Sequence, residues 1–116
     1  MKLESARAPE FVWMSTFEPS ARGLFDEGEL RALEIALIAD PRAGRVMPRT
    51  GGLRKLRWAA KGKGRRGGAR VIYLYVPRLE TVYMILAYAK DTIEDLTEGQ
   101  RAELKALANV LKRGEG

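Results

Sequence analysis

Three basic residues, Lys55, Arg57 and Arg70, are the side chains in this sequence best suited to chemistry on a phosphate. Leu56 and Trp58 alternate with the first two, and this two-residue period predicts a β-strand whose cations lie on its non-core face. Arg70 opens a second predicted strand after a pair of glycines. If the two strands pair as a hairpin, all three cations can reach one substrate. The guanidinium fork matches phosphate oxygens and stays charged, which suits it to that ligand.

The positive charge of the chain is confined to one segment. Between Pro41 and Pro77 there are eleven Lys or Arg residues and no Asp or Glu, although the whole chain has 21 basic and 15 acidic residues. Charge gathered in this way makes a local field that attracts polyanions. The distribution therefore predicts a nucleic acid as the ligand.

The composition argues against several other kinds of site. The chain has no histidine and no cysteine, so it lacks the commonest metal ligand, the commonest general base and any thiolate. Asp91, Glu94 and Asp95 cluster before the last predicted helix, where acidic residues mostly complement the helix dipole. The basic loop from Gly62 to Gly68 does not match a P-loop, because no Gly-Lys-Ser/Thr follows at the required spacing. We expect no metal and no small-molecule cofactor.

RNA is the substrate on which such a surface can act without metal or histidine. RNA carries its own nucleophile, the 2′-hydroxyl, so an enzyme needs only to align it, neutralise the charge that develops on the phosphoryl oxygens and manage two protons. A lysine can transfer protons when neighbouring like charges lower its pKa. DNA lacks the 2′-hydroxyl and would not be cleaved. Two alternatives remain: RNA binding without cleavage, and docking of an acidic protein.

Further residues are candidates for holding the RNA. The loop 61–68 is either a solvated hairpin loop or a flexible arm that grips phosphates. Arg54 falls on the Leu56 side of its strand by parity, and is either an edge residue that reaches solvent or an RNA ligand. Tyr88, which shares a face with Lys90, is the best candidate for stacking on a base. The candidate RNA-binding residues are Arg54, Lys61, Lys63, Arg65, Arg66 and Tyr88.

The local patterns predict a small α+β fold in a single domain of 116 residues. Residues 1–9 are predicted to be a loose tail, and Trp13 and Trp58 are predicted to lie in the core. Asp26 and Thr97 begin helices as capping boxes. No apolar run of about 18 residues exists and the N-terminus is not a secretory signal, so we expect a cytoplasmic protein. The predicted elements are a strand at 11–14, one or two helical turns at 17–24, a helix from Asp26 to Pro41, an antiparallel meander of strands at 53–59, 70–76 and 81–88, and a helix from Thr97.

Two segments together resemble a known family. They are TGGLRKLRWAAKGKGRRGGARVIYLY, from Thr50 to Tyr75, and YAKDTIEDLT, from Tyr88 to Thr97. They are similar to the RelE superfamily, and most closely to its HigB-type toxins of bacterial toxin–antitoxin modules, over about Phe11 to Leu111. The resemblance implies a RelE-like fold of a small sheet flanked by helices. It also implies a metal-free mRNA interferase that acts in the ribosomal A site, with a cognate HigA-like antitoxin containing a helix-turn-helix domain.

The resemblance also implies which residues are catalytic. Those that match the family's pattern are Lys55, Arg57, Arg70 and Lys90. The chain departs from the family at Asp91 and Thr97, where RelE has an arginine and a tyrosine. Tyr88, Lys61 or Lys63 could replace the missing proton donor, so the general acid and base stay open. The departure motivates the alternative of a non-catalytic RNA- or ribosome-binding module of the same fold.

Overall fold

The structure is a computed structural model that describes residues 8–60, 64–90 and 96–114, and for residues 59, 60 and 64–67 it describes the backbone alone. Residues 1–7 of the predicted tail lie outside the described residues. A 3₁₀ turn at Pro77–Leu79 joins the fourth and fifth strands. The strands and helices are, in chain order, β1 (Glu10–Trp13), α1 (Phe17–Ala21), α2 (Glu27–Ala39), β2 (Arg45–Val46), β3 (Arg54–Ala60), β4 (Gly64–Val76), β5 (Thr81–Ala89) and α3 (Glu98–Lys112).

The five strands form one mixed sheet in the order β1-β5-β4-β3-β2. Strands β3, β4 and β5 pair antiparallel, which confirms the predicted meander. Strand β1 lies at one edge and pairs in parallel with β5, with Phe11 opposite Val82. The two-residue strand β2 extends the other edge, antiparallel to β3. The fold is thus α+β with a mostly antiparallel sheet, as the local patterns predict.

Helices cover both faces of the sheet and bury a separate core on each. On one face, alternate residues of β4 and β5 meet Leu33 and Leu37 of α2, which are fully buried. On the other face, the intervening residues meet Ala108 and Leu111 of α3. Because successive side chains of a strand point to opposite faces, β4 contributes to both cores. The sheet is therefore the middle of three layers.

The two longer helices begin at the predicted residues. Asp26 accepts from the backbone N–H of Glu29 at 2.7 Å and Glu29 returns the bond at 2.9 Å, so both partners of the capping box are present. Thr97 and Gln100 make the same reciprocal pair at the start of α3. In the described part of the chain, no helix has the length and apolar character that a membrane span requires.

Strand β4 departs from the prediction, because it begins at Gly64 rather than Arg70. Residues 64–68, predicted as a loop, are strand. The backbone ladder runs on, with Gly64 opposite Ala60 and the Gly68 carbonyl accepting from the Lys90 N–H at 3.1 Å. Main-chain hydrogen bonds of this kind do not require alternating side chains. A glycine-rich stretch can therefore form a strand that the side-chain pattern of the sequence does not predict.

The predicted core position of Trp13 is wrong, since 41% of the residue is exposed. It lies on the edge strand β1 and packs its ring against Phe11 and Phe17, at centroid distances of 6.2 and 5.1 Å. Trp58 is half-buried, and its indole N–H donates to the carbonyl of Glu29 at 3.3 Å. An edge strand has a neighbouring strand on one side only, so an apolar side chain on it can stay partly exposed to solvent.

Candidate functional site

The register of the sheet brings the three predicted cations together. Arg57 of β3 lies directly opposite Arg70 of β4, and residues directly opposite each other share a face. Lys55 is two residues from Arg57 and so lies on that same face. Beyond it, Arg45 of β2 lies opposite Lys55. Four cations on three neighbouring strands thus form one row on the α3 side of the sheet.

These side chains line one groove of about 720 Å³. The sheet forms its floor, residues 43–48, which include β2, form one wall, and Arg101 of α3 contributes from the helix. Half of the lining residues are Lys or Arg, and no carboxylate is among those that the structure places there. The lining residues are Ala43, Arg45, Val46, Met47, Pro48, Lys55, Leu56, Arg57, Arg70 and Arg101. A concave site with charge of one sign concentrates ligands of the opposite charge.

The placement of Arg57 directly opposite Arg70 destabilises the fold, because both side chains are positively charged. Like charges directly across a strand pair are destabilising. Neither residue takes part in the two ion pairs that the structure shows among its described residues, which are Arg22–Glu18 and Arg49–Glu98. Arg57 is exposed and Arg70 is half-buried. An anion bound between the two guanidinium groups would remove this repulsion, so the pair is suited to a phosphate.

Arg54 lies away from the groove. It is opposite Tyr73, on the face that packs against α1 and α2. Its Nη1 donates to the carbonyl oxygens of Arg42 and Gly44, at 3.1 and 2.7 Å. The structure therefore gives Arg54 partners within the protein and does not bring it beside Lys55 and Arg57.

The predicted stacking role of Tyr88 is not supported by its burial. Tyr88 is only 6% exposed and packs in the core with residues of α3, although Arg70, directly opposite it, lines the open groove. Lys90 follows β5 and is exposed, but does not line the groove. Lys61, Lys63 and Asp91 lie outside the described residues, as do the side chains of Arg65 and Arg66.

Sequence reasoning missed two groove residues, Arg45 and Arg101. Arg45 falls between the predicted helix that ends at Pro41 and the predicted strand at 53–59, in a stretch with no periodicity, and only its pairing with β3 places it. Arg101 did carry a signal, because it lies one helical turn before Leu104 and so continues the apolar stripe of α3 with a cation. Its Nη1 donates to the carbonyl of Pro48 at 3.2 Å, which joins the helix to the groove wall.

The segment between β2 and β3 is seated directly on α3. Thr50 is fully buried and donates to the carbonyl of Met47 at 2.7 Å. Gly51 has a φ of +76°, and a Cβ there would lie 3.3 Å from the Asn109 side-chain oxygen and 3.4 Å from Ala108. A left-handed residue this close to a helix is best supplied by glycine. This contact holds the groove wall and α3 in one arrangement.

A second concavity, of about 890 Å³, is larger but offers less chemistry. It lies between the end of β1, α1 and α2, with Phe17, Phe25 and Leu30 among its lining residues. The acidic and basic side chains at its rim are of mixed sign, and one pair of them, Glu18 and Arg22, already forms an ion pair. The basic groove is therefore the candidate site.

The described residues contain no group of three or more Asp or Glu side chains that could hold a metal ion. The acidic cluster at Asp91, Glu94 and Asp95 lies outside them. A comparison of the chain with protein-family models finds no match. The resemblance to the RelE superfamily consequently stays a prediction from the sequence.

Proposed function

We propose that this chain is an endoribonuclease that cleaves messenger RNA on the ribosome, as the toxin of a bacterial toxin–antitoxin module. The proposal combines the resemblance to HigB-type toxins of the RelE superfamily with the geometry of the basic groove. The observation that carries it is the direct opposition of Arg57 and Arg70, in a groove that Lys55 also lines. Two arginines that lie directly opposite each other on neighbouring strands share a face of the sheet, so their guanidinium groups can contact the same phosphate.

The proposed reaction is attack of the RNA 2′-oxygen on the adjacent phosphorus. The bond from phosphorus to the 5′-oxygen breaks, leaving a 2′,3′-cyclic phosphate and a 5′-hydroxyl. The proton of the 2′-hydroxyl passes to a base, and the departing 5′-oxygen takes up a proton. Arg57 and Arg70 would neutralise the charge that develops on the non-bridging oxygens, and oriented donors of this kind are a large part of enzyme rate enhancement.

Lys55 is the proposed candidate for proton transfer. It is the lysine among the groove-lining residues that the structure describes, and the other cations there are guanidinium groups, which do not give up a proton. It is half-buried, so its position is restricted by its neighbours. Lys90, exposed just beyond β5, is proposed to contact the RNA backbone. No step in this scheme requires a metal ion.

The proposed setting is the bacterial cytoplasm, where translated messages are available. The resemblance further implies a cognate antitoxin with a helix-turn-helix domain as a protein partner. Such a partner would prevent cleavage either by covering the groove or by its bulk, which would keep the toxin from the ribosome. A complex that cleaves messages at the full rate would contradict both routes.

The second candidate function is RNA or ribosome binding without cleavage. Two observations favour it. Tyr88 is buried, so it does not replace the tyrosine that the family has near Thr97, and Thr97 itself caps α3. Among the lining residues that the structure describes, Lys55 alone is then left for two proton transfers. Both candidates predict RNA binding that weakens with salt, so binding alone does not separate them.

Induced expression in a bacterial host separates the two candidates. We expect the wild-type chain to arrest growth and to create new mRNA 5′ ends inside the codons of translated messages. The double variant Arg57→Ala, Arg70→Ala should relieve the arrest and remove those ends. Arrest with unaltered messages would favour the binding module, and equal cleavage by the double variant would remove both arginines from the mechanism.

A further inference from the structure

The turn before β2 is fixed by a tyrosine from the centre of the sheet. The hydroxyl of Tyr73 donates to the carbonyl oxygen of Pro41 at 2.8 Å and accepts from the N–H of Gly44, also at 2.8 Å. The residue is fully buried in the core between the sheet and α2. One hydroxyl thus joins both ends of a four-residue turn to β4, which pairs with a strand on each side.

Arg54 fixes the same turn from the neighbouring strand. It lies directly opposite Tyr73, and its Nη1 donates to the carbonyls of Arg42 and Gly44. A hydrogen bond from a charged donor is stronger than one between neutral groups. The Tyr73–Arg54 pair therefore binds four backbone groups of residues 41–44.

Gly44 shows how closely the pair holds the turn. A Cβ at this position would lie 2.9 Å from Cε1 of the Tyr73 ring, 3.0 Å from its hydroxyl and 3.1 Å from Cβ of Arg54. The first of these distances is shorter than side-chain carbons adopt, so the backbone can approach the pair only because residue 44 is glycine.

Arg45 follows this turn immediately and lines the basic groove. It lies in β2, which has only two residues and two register pairs with β3. A strand this short contributes little order of its own. The position of Arg45 beside Lys55 consequently depends on what holds the turn before it.

We propose that Tyr73 and Arg54 are positioning residues that hold Arg45 at the groove for contact with RNA, an inference that rests on the proposed function. The pair acts from the opposite face of the sheet and does not touch the ligand. Burial raises the pKa of the Tyr73 hydroxyl, an effect that the bond from Gly44 partly offsets. The hydroxyl therefore stays protonated at neutral pH and keeps its bond to Pro41.

The test is a double-mutant cycle between Tyr73→Phe and Arg45→Ala, read as affinity for a single-stranded RNA oligomer. Tyr73→Phe keeps the ring and removes the hydroxyl, and should weaken binding about three- to tenfold. In that background Arg45→Ala should cost much less than in the wild type, because Arg45 is already displaced. Tyr83→Phe, at another buried tyrosine of the sheet, is the matched control and should leave affinity unchanged. Additive losses, or an equal loss from Tyr83→Phe, would overturn the proposal.

A second measurement is independent of RNA. Trypsin can cleave after Arg42 and Arg45, and mass spectrometry of the fragments reports how well the turn is held. Tyr73→Phe and, separately, Arg54→Met should each speed cleavage at these two sites at least fivefold, and Tyr83→Phe should not. Equal cleavage in all variants would overturn the positioning role. A wild-type chain that binds no RNA, whatever the tryptic result, would instead overturn the proposed function on which the role depends.

Discussion

Arg54 and Arg57 are three residues apart on β3, lie on opposite faces of the sheet and meet different surroundings. Arg54 donates to two backbone carbonyls of the turn before β2, so its charge is used inside the protein. Arg57 is exposed and has another arginine, Arg70, directly across the strand pair. On one face of the strand an arginine stabilises the fold through hydrogen bonds. On the other face two arginines lie opposite each other, and their repulsion lowers the stability of the fold.

The two faces differ because of what covers them. Helices α1 and α2 lie over the Arg54 face, and its core includes the fully buried residues Val71 and Leu33. Helix α3 covers the other face at Leu74 and Ile85 but leaves the end around Arg57 open as a groove. Substitutions on the two faces should consequently separate the stability of the fold from binding and cleavage of RNA.

The largest expected effect is on RNA cleavage by the double variant Arg57→Ala, Arg70→Ala. Removing both groups that neutralise the developing charge should lower the cleavage rate by on the order of 10³. The measurement is single-turnover cleavage of a ribosome-bound message at saturating protein. The matched control is Arg22→Ala, Arg31→Ala, which removes the same charge from the α1–α2 side. If the control loses as much activity, net charge rather than the groove governs the reaction.

A core substitution on the opposite face should have the reverse profile. Leu33→Ala in α2 removes a fully buried side chain and should lower the free energy of unfolding by about 3 kcal/mol. The protein that remains folded should bind RNA as the wild type does. Urea denaturation gives the first quantity and titration with an RNA oligomer gives the second. Ile35→Ala, on the same helix but 56% exposed, should change neither.

The contrast between the faces also marks what sequence alone could predict. Alternation along β3 placed Lys55 and Arg57 on one face, and the capping boxes at Asp26 and Thr97 marked the two helix starts, because both signals are local. Parity even put Arg54 on the correct face, although it gave no hint of the turn that Arg54 binds. That partner lies ten or more residues away along the chain and is brought near only by the fold.

Most of the missed features are long-range. The parallel pairing of β1 with β5 joins residues about seventy positions apart, and no local pattern encodes it. Arg45 reaches the groove through a strand of two residues, which is too short for any periodic signal. Tyr88, Arg70 and Arg57 lie side by side on neighbouring strands of one face. Tyr88 is buried in the core that includes α3, whereas the two arginines line the open groove, so the position of α3 decides which of them is covered. Tertiary placement, rather than residue type, decided which of these side chains meets solvent.

A smaller effect should distinguish Arg101 from cations elsewhere on α3. Arg101→Ala should reduce the slope of log affinity against log salt by about 0.7, the value for one phosphate contact on a single strand. Lys112→Ala, at the far end of the helix, should leave the slope unchanged. Fluorescence titrations at several salt concentrations measure both slopes. An unchanged slope for Arg101→Ala would confine RNA contacts to the sheet and the β2 segment.

The smallest expected effect is a change in the free energy of unfolding whose sign differs between substitutions on the two faces of β3. Arg57→Gln keeps much of the side chain but removes the repulsion across the strand pair, so the free energy of unfolding should rise, by at most about 1 kcal/mol. Arg54→Gln, on the same strand, should lower it, because two backbone carbonyls lose a charged donor. Urea denaturation at low ionic strength measures both, and added salt should shrink the gain from Arg57→Gln by screening the charges in the wild type. A loss of stability from Arg57→Gln would mean that Arg57 makes stabilising contacts which outweigh its repulsion from Arg70, and the groove would then be part of the fold's support instead of a site kept open for an anion.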